Sequence, residues 1–311
     1  MTSSDTQHSR GLVIGCGGTL GAAWTVAALV AVSDALAWDP RDADVLVGTS
    51  AGAELVTMLG GGAGVDELLA MQLGGPTHPA LDGHLAAAPG RFPPLPGPGL
   101  GSPGLLRRGL PPVTAASGLL PHGRGDAAWL DRLAQRFVCN SGWVRHPATW
   151  LVSMDYDTGE RVAFGSPGAP TATLSEALRA SWAIPGWYPP VPVDGRRFVD
   201  GGAASTASAD LVLPLELDEV VVLAPMASTG RIAGRGAARI ERLMLRNWMS
   251  SGLDAEIAKL EAAGTGVIRL DATAEDLAVM GPNFMDGRRR LATLEHSLVT
   301  TRTQLANGVR A

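Results

Sequence analysis

Val45-Leu46-Val47-Gly48-Thr49-Ser50-Ala51-Gly52 is the stretch on which the reading of the whole chain turns. Its three leading residues are apolar and suit a buried strand, and the run from Ala53 to Leu59 behind it suits a helix. A serine at a sharp strand-to-helix turn sits in a strained conformation. Side chains two residues to either side of it would collide with the crossing backbone. Glycines occupy both of those positions, Gly48 and Gly52, which is the G-x-S-x-G spacing of a nucleophile elbow. The helix behind the turn aims free N–H groups at the serine oxygen and favours negative charge there. In a chain with 40 glycines this spacing also arises by chance, so its meaning rests on what flanks it.

Upstream, Gly11-Leu12-Val13-Ile14 reads as a first buried strand, followed by Gly15-Cys16-Gly17-Gly18-Thr19-Leu20-Gly21 and a helix over 22–36. The result is a β-loop-α-β unit, whose strands run parallel through a right-handed crossover. Both loops then open at the carboxyl edge of the sheet, where α/β proteins bind ligands, and the glycine loop comes to lie beside Ser50. After the elbow helix and a short helix over 65–73, the composition changes. The window 74–125 holds 11 of the chain's 22 prolines and shows little periodicity. Its charges are Arg91, Arg107, Arg108 and Arg124 against Asp82, and it carries Leu95, Leu100, Leu105 and Leu106. A structureless loop of this length is functional or disordered. The mix suits a lid or an interface-binding flap; an insertion without a role is the alternative.

Order returns with a helix over 126–138, a strand over 149–154, and a turn at Asp155-Tyr156-Asp157-Thr158-Gly159 leading into a strand over 161–164. Thr173-Leu174-Ser175-Glu176 has capping-box spacing and opens a helix through Trp182. A hairpin turn at Asp194-Gly195 precedes a strand over 196–199, which delivers Asp200-Gly201-Gly202. Two further strands over 219–223 and 266–270 flank a helix over 236–263, and a helix over 286–307 closes the chain. The pattern is α/β throughout, read as one domain over 1–311 with an insertion at 74–125.

Composition narrows the function classes. Hydrophobic residues make up 46% of the chain, enough for a substantial core. The net charge is −5, aromatics are 5%, and the longest basic run is Arg288-Arg289-Arg290, so no nucleic-acid partner is expected. Cys16 and Cys139 do not make a disulfide framework. The first ten residues are polar and the apolar stretch after them is broken by glycines. Neither a secretory signal nor an apolar run of about 18 residues for a transmembrane helix is expected. The reading is a cytoplasmic protein, with attachment to a membrane surface left open.

A serine nucleophile needs a base, and a carbonyl oxygen needs donors aimed at the charge it develops. In an α/β-hydrolase the chain order is Ser, acid, His, with several strands ahead of the elbow. Here two strands precede Ser50, and of the six histidines only His296 lies late enough, inside a helical pattern. Asp200 is the better partner. It ends a strand and is followed by two glycines that let backbone approach closely; burial would raise its pKa above the ordinary value of about 3.9. The glycine loop alone would suggest dinucleotide binding. That fingerprint needs a regular G-x-G-x-x-G and an acidic residue on the second strand, and this chain has neither. Cys16 has no histidine near it in sequence and reads as a small loop residue.

Gly-x-Gly-Gly-x-x-Gly after the first strand, G-x-S-x-G after the second and Asp-Gly-Gly late in the chain, in this order, resemble the patatin-like phospholipase family. The resemblance takes in the 155–159 turn and Ala180-Ser181-Trp182-Ala183-Ile184-Pro185-Gly186-Trp187-Tyr188-Pro189-Pro190, and covers most of 11–202. It implies a three-layer α/β/α fold with a central, mostly parallel sheet. It also implies a serine acyl hydrolase that cleaves carboxyl esters of lipids through a Ser-Asp dyad and an acyl-enzyme, without metal or cofactor. By position, Ser50 would be the nucleophile and Asp200 the base, with Gly17, Gly18 and Cys16 at the oxyanion-hole positions. Thr19, Trp182, Trp187 and Tyr188 are substrate-binding candidates; for the aromatics, core packing is the equal alternative. Two residues depart from the family pattern: Cys16, where the first glycine usually stands, and Leu20, where relatives carry Arg or Lys. Acyl transfer by the same dyad and a catalytically silent regulatory or membrane-binding scaffold are the competing readings.

Overall fold

The computed structural model describes residues 8–76, 78–228 and 245–308. The polar residues 1–7 and the first part, 236–244, of the helix expected over 236–263 lie outside them.

The sheet grows outward from the elbow strand. β1 (Arg10–Ile14) pairs in parallel with β2 (Val45–Thr49), Gly11 opposite Val45 and Ile14 opposite Gly48. On the other side of β1 lies β7 (Glu219–Ala224), and beyond it β8 (Gly266–Asp271), both parallel. β3 (Thr149–Asp155) follows β2 in parallel. Beyond it the sheet turns antiparallel with β4 (Arg161–Phe164), β5 (Val191–Val193) and β6 (Arg196–Asp200). The order is β5-β6-β3-β2-β1-β7-β8, with β4 pairing β3 beside this path.

Strand residues alternate between two cores, as a sheet covered on both faces requires. Leu12, Ile14 and Leu46 pack on one face with α1 (Gly18–Leu36), α2 (Ala51–Gly61), α3 (Val65–Leu73), α5 (Ala128–Phe137) and α6 (Leu174–Ser181). α8 (Ala274–Met280) and α9 (Arg290–Ala306) complete that layer. Val13, Val45, Val47, Val220 and Val222 face the other way, against Leu253, Ile257 and Leu260 of α7 (Asn247–Ala262). The three-layer expectation holds.

Several local expectations change. α1 begins at Gly18, four residues earlier than its apolar pattern suggests, because Gly17 O already accepts the Gly21 amide. The glycines therefore do not interrupt it. At 19 residues with a mean hydropathy of 1.5, α1 is long and apolar enough to cross a membrane, contrary to the expectation above. Its buried positions run from Gly18 to Val32 and are covered by the sheet and by α9, the pattern of a core helix. α8 was not foreseen.

The 74–125 window is not structureless. It contains α4 (Pro112–Ser117) and several single 3-10 turns. Leu81 and Leu105 are buried, and His84 Nε2 lies 2.7 Å from Glu54 Oε1 on the elbow helix, with both side chains buried. At Gly123 a Cβ would stand 2.3 Å from the Trp187–Tyr188 backbone, so the segment closes down on the molecule there.

Candidate active site

Ser50 adopts φ 56° and ψ −119°, a strained conformation at the junction of β2 and α2. The two flanking glycines are obligatory. A Cβ on Gly48 would stand 2.4 Å from Gly52 O, and one on Gly52 would stand 2.1 Å from Ile14 O. The Ser50 amide donates to Ser181 Oγ at 2.9 Å, and the Ser181 hydroxyl donates to Val152 O at 2.6 Å. Ser181 thus ties the elbow to β3. Sequence reasoning quoted this serine within a motif but gave it no role, since nothing in its neighbours shows that it faces the elbow.

The register of β3 carries Asp200 to the serine. Val152 is opposite Thr49 on β2, and the next residue, Ser153, is opposite Asp200 on β6. Consecutive rungs of one strand thus place Ser50 and Asp200 side by side. The Ser50 side chain lies beside the Asp200 carboxylate, whose Oδ1 accepts the Gly202 amide at 2.8 Å. Burial, opposed by the neighbouring Ser50 side chain and the Gly202 amide, pushes the Asp200 carboxyl up to about 7.

The glycine loop borders the same space. Gly17 and Gly18 line it, and Gly18 has a φ of +55°. A Cβ there would meet Phe284 and Met285 at 2.6 Å. Among the described residues, no backbone carbonyl accepts from the Gly17 or Gly18 amide. Cys16 differs. Its amide donates to Thr206 O at 2.8 Å, which removes it from the oxyanion donors expected from sequence. Its thiol lies 3.5 Å from Thr206 Oγ1. Burial and the nearby Asp200 carboxylate push that thiol up to about 12, so it stays protonated and is no nucleophile. Leu20, the other departure from the resembled pattern, is fully buried in the core.

These groups meet in a cavity of about 610 Å³ with almost wholly apolar walls. Ser50, Asp200, Gly17 and Gly18 form its polar floor. Pro112, Val113 and Ala116 of α4 roof it, and Met226, Met249 and Phe284 close one side. Size does not single this cavity out, because a polar depression of about 640 Å³ lies elsewhere, beside Asp34, Asp39, Arg41 and Glu67. The pairing of hydroxyl, carboxylate and free amides in an apolar space does.

The expected pocket aromatics are not on the cavity wall. Trp182 is buried and packs edge-on against Trp129, with ring centroids 5.1 Å apart. Tyr188 is likewise in the core, and Trp187 packs against that core while its carbonyl accepts the Gly125 amide. Ile184 and Pro185, between them in sequence, line the cavity instead. Thr19 is turned toward Gly287 rather than the cavity. His296 stands on α9 beside Asp276, also away from the cavity. Among the described residues no group of three or more His, Cys, Asp or Glu side chains is placed to hold a metal ion.

A family model described as Patatin-like phospholipase matches residues 12–213. Among solved structures, the crystal structure of VipD from Legionella pneumophila is similar at a TM-score of 0.43 and 13% sequence identity. The match covers 98% of this chain and 68% of that one.

Proposed function

This chain belongs to the patatin-like phospholipase family, whose activity class is lipid acyl hydrolysis, and on that premise we propose that it cleaves carboxyl esters through Ser50 and Asp200. The observation that carries the proposal is that the register of β3 sets the Ser50 hydroxyl beside a buried carboxylate, both lining one apolar cavity. Ser50 Oγ attacks the ester carbonyl carbon as Asp200 takes its proton. The oxygen of the tetrahedral intermediate becomes an anion facing the Gly17 and Gly18 amides at the start of α1, where the helix end favours negative charge. One such donor is worth on the order of 10²–10³ in rate. The intermediate collapses as Asp200 returns the proton to the departing alcohol, leaving an acyl-serine. Asp200 then deprotonates a water, which releases the carboxylic acid and restores the serine.

A base works best with a pKa near the working pH, and burial brings this carboxyl there without a histidine. The apolar walls suit an acyl chain. The test is labelling by a fluorophosphonate, run beside hydrolysis of p-nitrophenyl esters of increasing chain length. Wild type should label and turn over, Ser50→Ala should do neither, and Asp200→Asn should lose turnover by at least about 10³-fold. A folded wild type that neither labels nor turns over would sink the reading.

A further inference from the structure

The exposed apolar residues of this chain are concentrated around the mouth of the cavity. Among the described residues, six of the eleven large hydrophobic side chains left exposed fall between 92 and 120: Phe92, Leu95, Leu100, Leu106, Leu119 and Leu120. Phe92 is 65% and Leu95 88% exposed. Their placement at the mouth is fixed by contacts. Leu120 lines the cavity itself, and Leu100 is bridged to Pro121 beside it. On the opposite side, Arg91 O accepts from Asn283 Nδ2 at 3.0 Å, next to Phe284, which is also a cavity wall. The Arg91 guanidinium lies over the Phe92 ring, 4.6 Å from its centroid. Arg124 reaches the Gly97 backbone beside the same apolar run.

Charge points to the occupant. The chain carries a net −5, yet window 74–125 holds four exposed arginines, Arg91, Arg107, Arg108 and Arg124, against Asp82 alone. Exposed leucine and phenylalanine rimmed by arginine is what an anionic bilayer surface binds: apolar side chains enter the acyl boundary while guanidinium groups meet the headgroups. A clustered apolar patch of this kind marks an interaction site. The dense prolines hold it in shape, so little ordering entropy is lost on contact.

We propose that the face spanning Arg91 to Leu120, with Arg124, docks on an anionic lipid bilayer and seats the cavity mouth on the membrane. This deepens the acyl-hydrolase reading by naming where its substrate enters, and it rests on that reading only for the identity of what is delivered.

The experiment is co-sedimentation of the full chain with vesicles of phosphatidylcholine alone and of phosphatidylcholine mixed with phosphatidylserine. Wild type should sediment with the mixed vesicles and be released by added salt. Arg91→Ala and Arg124→Ala should each weaken binding about fivefold. Phe92→Ser combined with Leu95→Ser should weaken it about tenfold or more. All of these variants should hydrolyse p-nitrophenyl butyrate as wild type does, which shows that the fold is intact. Wild type that stays in solution, or binds both vesicle types equally, overturns the assignment, as do variants that bind like wild type. Self-association abolished by the serine substitutions, without vesicle binding, would give the face to a second copy and overturn the proposal. A chain that binds mixed vesicles but leaves butyrate untouched sustains the docking face and overturns the hydrolase reading instead.

Discussion

Asp200 sets the terms at the scale of single residues. In the proposed mechanism it must be ionised to take the Ser50 proton, and burial holds its carboxyl up at about 7. The kcat/KM for a soluble ester should therefore fall as pH drops through about 7, approaching a tenfold loss per pH unit below it. A profile flat from pH 5 to 8 would exclude Asp200 as the base. The same shift has a stability consequence of opposite sense. A carboxyl whose folded pKa lies above its unfolded value binds protons more readily when folded, so stability is fully present below the unfolded pKa and is lost as pH rises to about 7. Asp200→Asn removes that cost. At pH 8 its Tm should exceed wild type by a few degrees while turnover is gone. Ser181 is the third test. Its loss leaves the Ser50 amide buried without a partner, a cost of about 1–3 kcal/mol, and loosens a strained elbow. Ser181→Ala should lower kcat about tenfold with KM little changed, read from steady-state ester hydrolysis.

Among the elements, α4 governs what fits. It roofs the cavity with Pro112, Val113 and Ala116, and Ala116 has no side chain beyond its β-carbon. Ala116→Phe should fill part of the cavity, cutting turnover of long-chain p-nitrophenyl esters at least about tenfold while sparing the butyrate. An unchanged chain-length profile would mean that acyl chains run elsewhere. α4 is also where sequence reading ran out. Strands such as Val45–Thr49 and Glu219–Ala224 were legible because a buried parallel strand is a plain apolar run, and α3 was legible from its own periodicity. α4 is one and a half turns opening on proline inside a proline-rich window, so it has no period to read. Ser50 and Asp200 were legible as motifs, but their meeting depends on the register of β3, which no local pattern encodes. The aromatics failed for the converse reason. Trp182 and Tyr188 flank the cavity-lining Ile184 and Pro185 in sequence, and a tight loop sends them inward to the core.

At the scale of the whole molecule, the family-matched residues end at 213, but the physical unit does not. β7 lies beyond that point and is an interior strand, between β1 and the edge strand β8. Its Leu223 carbonyl accepts the Gly15 amide, the first fixed point of the glycine loop. Met226, Met249 and Phe284, all later in the chain, close one side of the cavity. α9 covers α1, whose long apolar surface would otherwise meet water. A chain cut after residue 213 would expose the edge of β1, a run of unpaired backbone groups flanked by apolar side chains, which invites aggregation. The expected outcome is that the truncated chain is insoluble, or soluble but unlabelled by fluorophosphonate, although it retains Ser50, Asp200, Gly17 and Gly18. Soluble yield and labelling, measured beside the full chain, decide it. A soluble fragment that labels at the wild-type rate would show that the glycine loop holds its shape without β7, and that the reactive unit is smaller than the sheet.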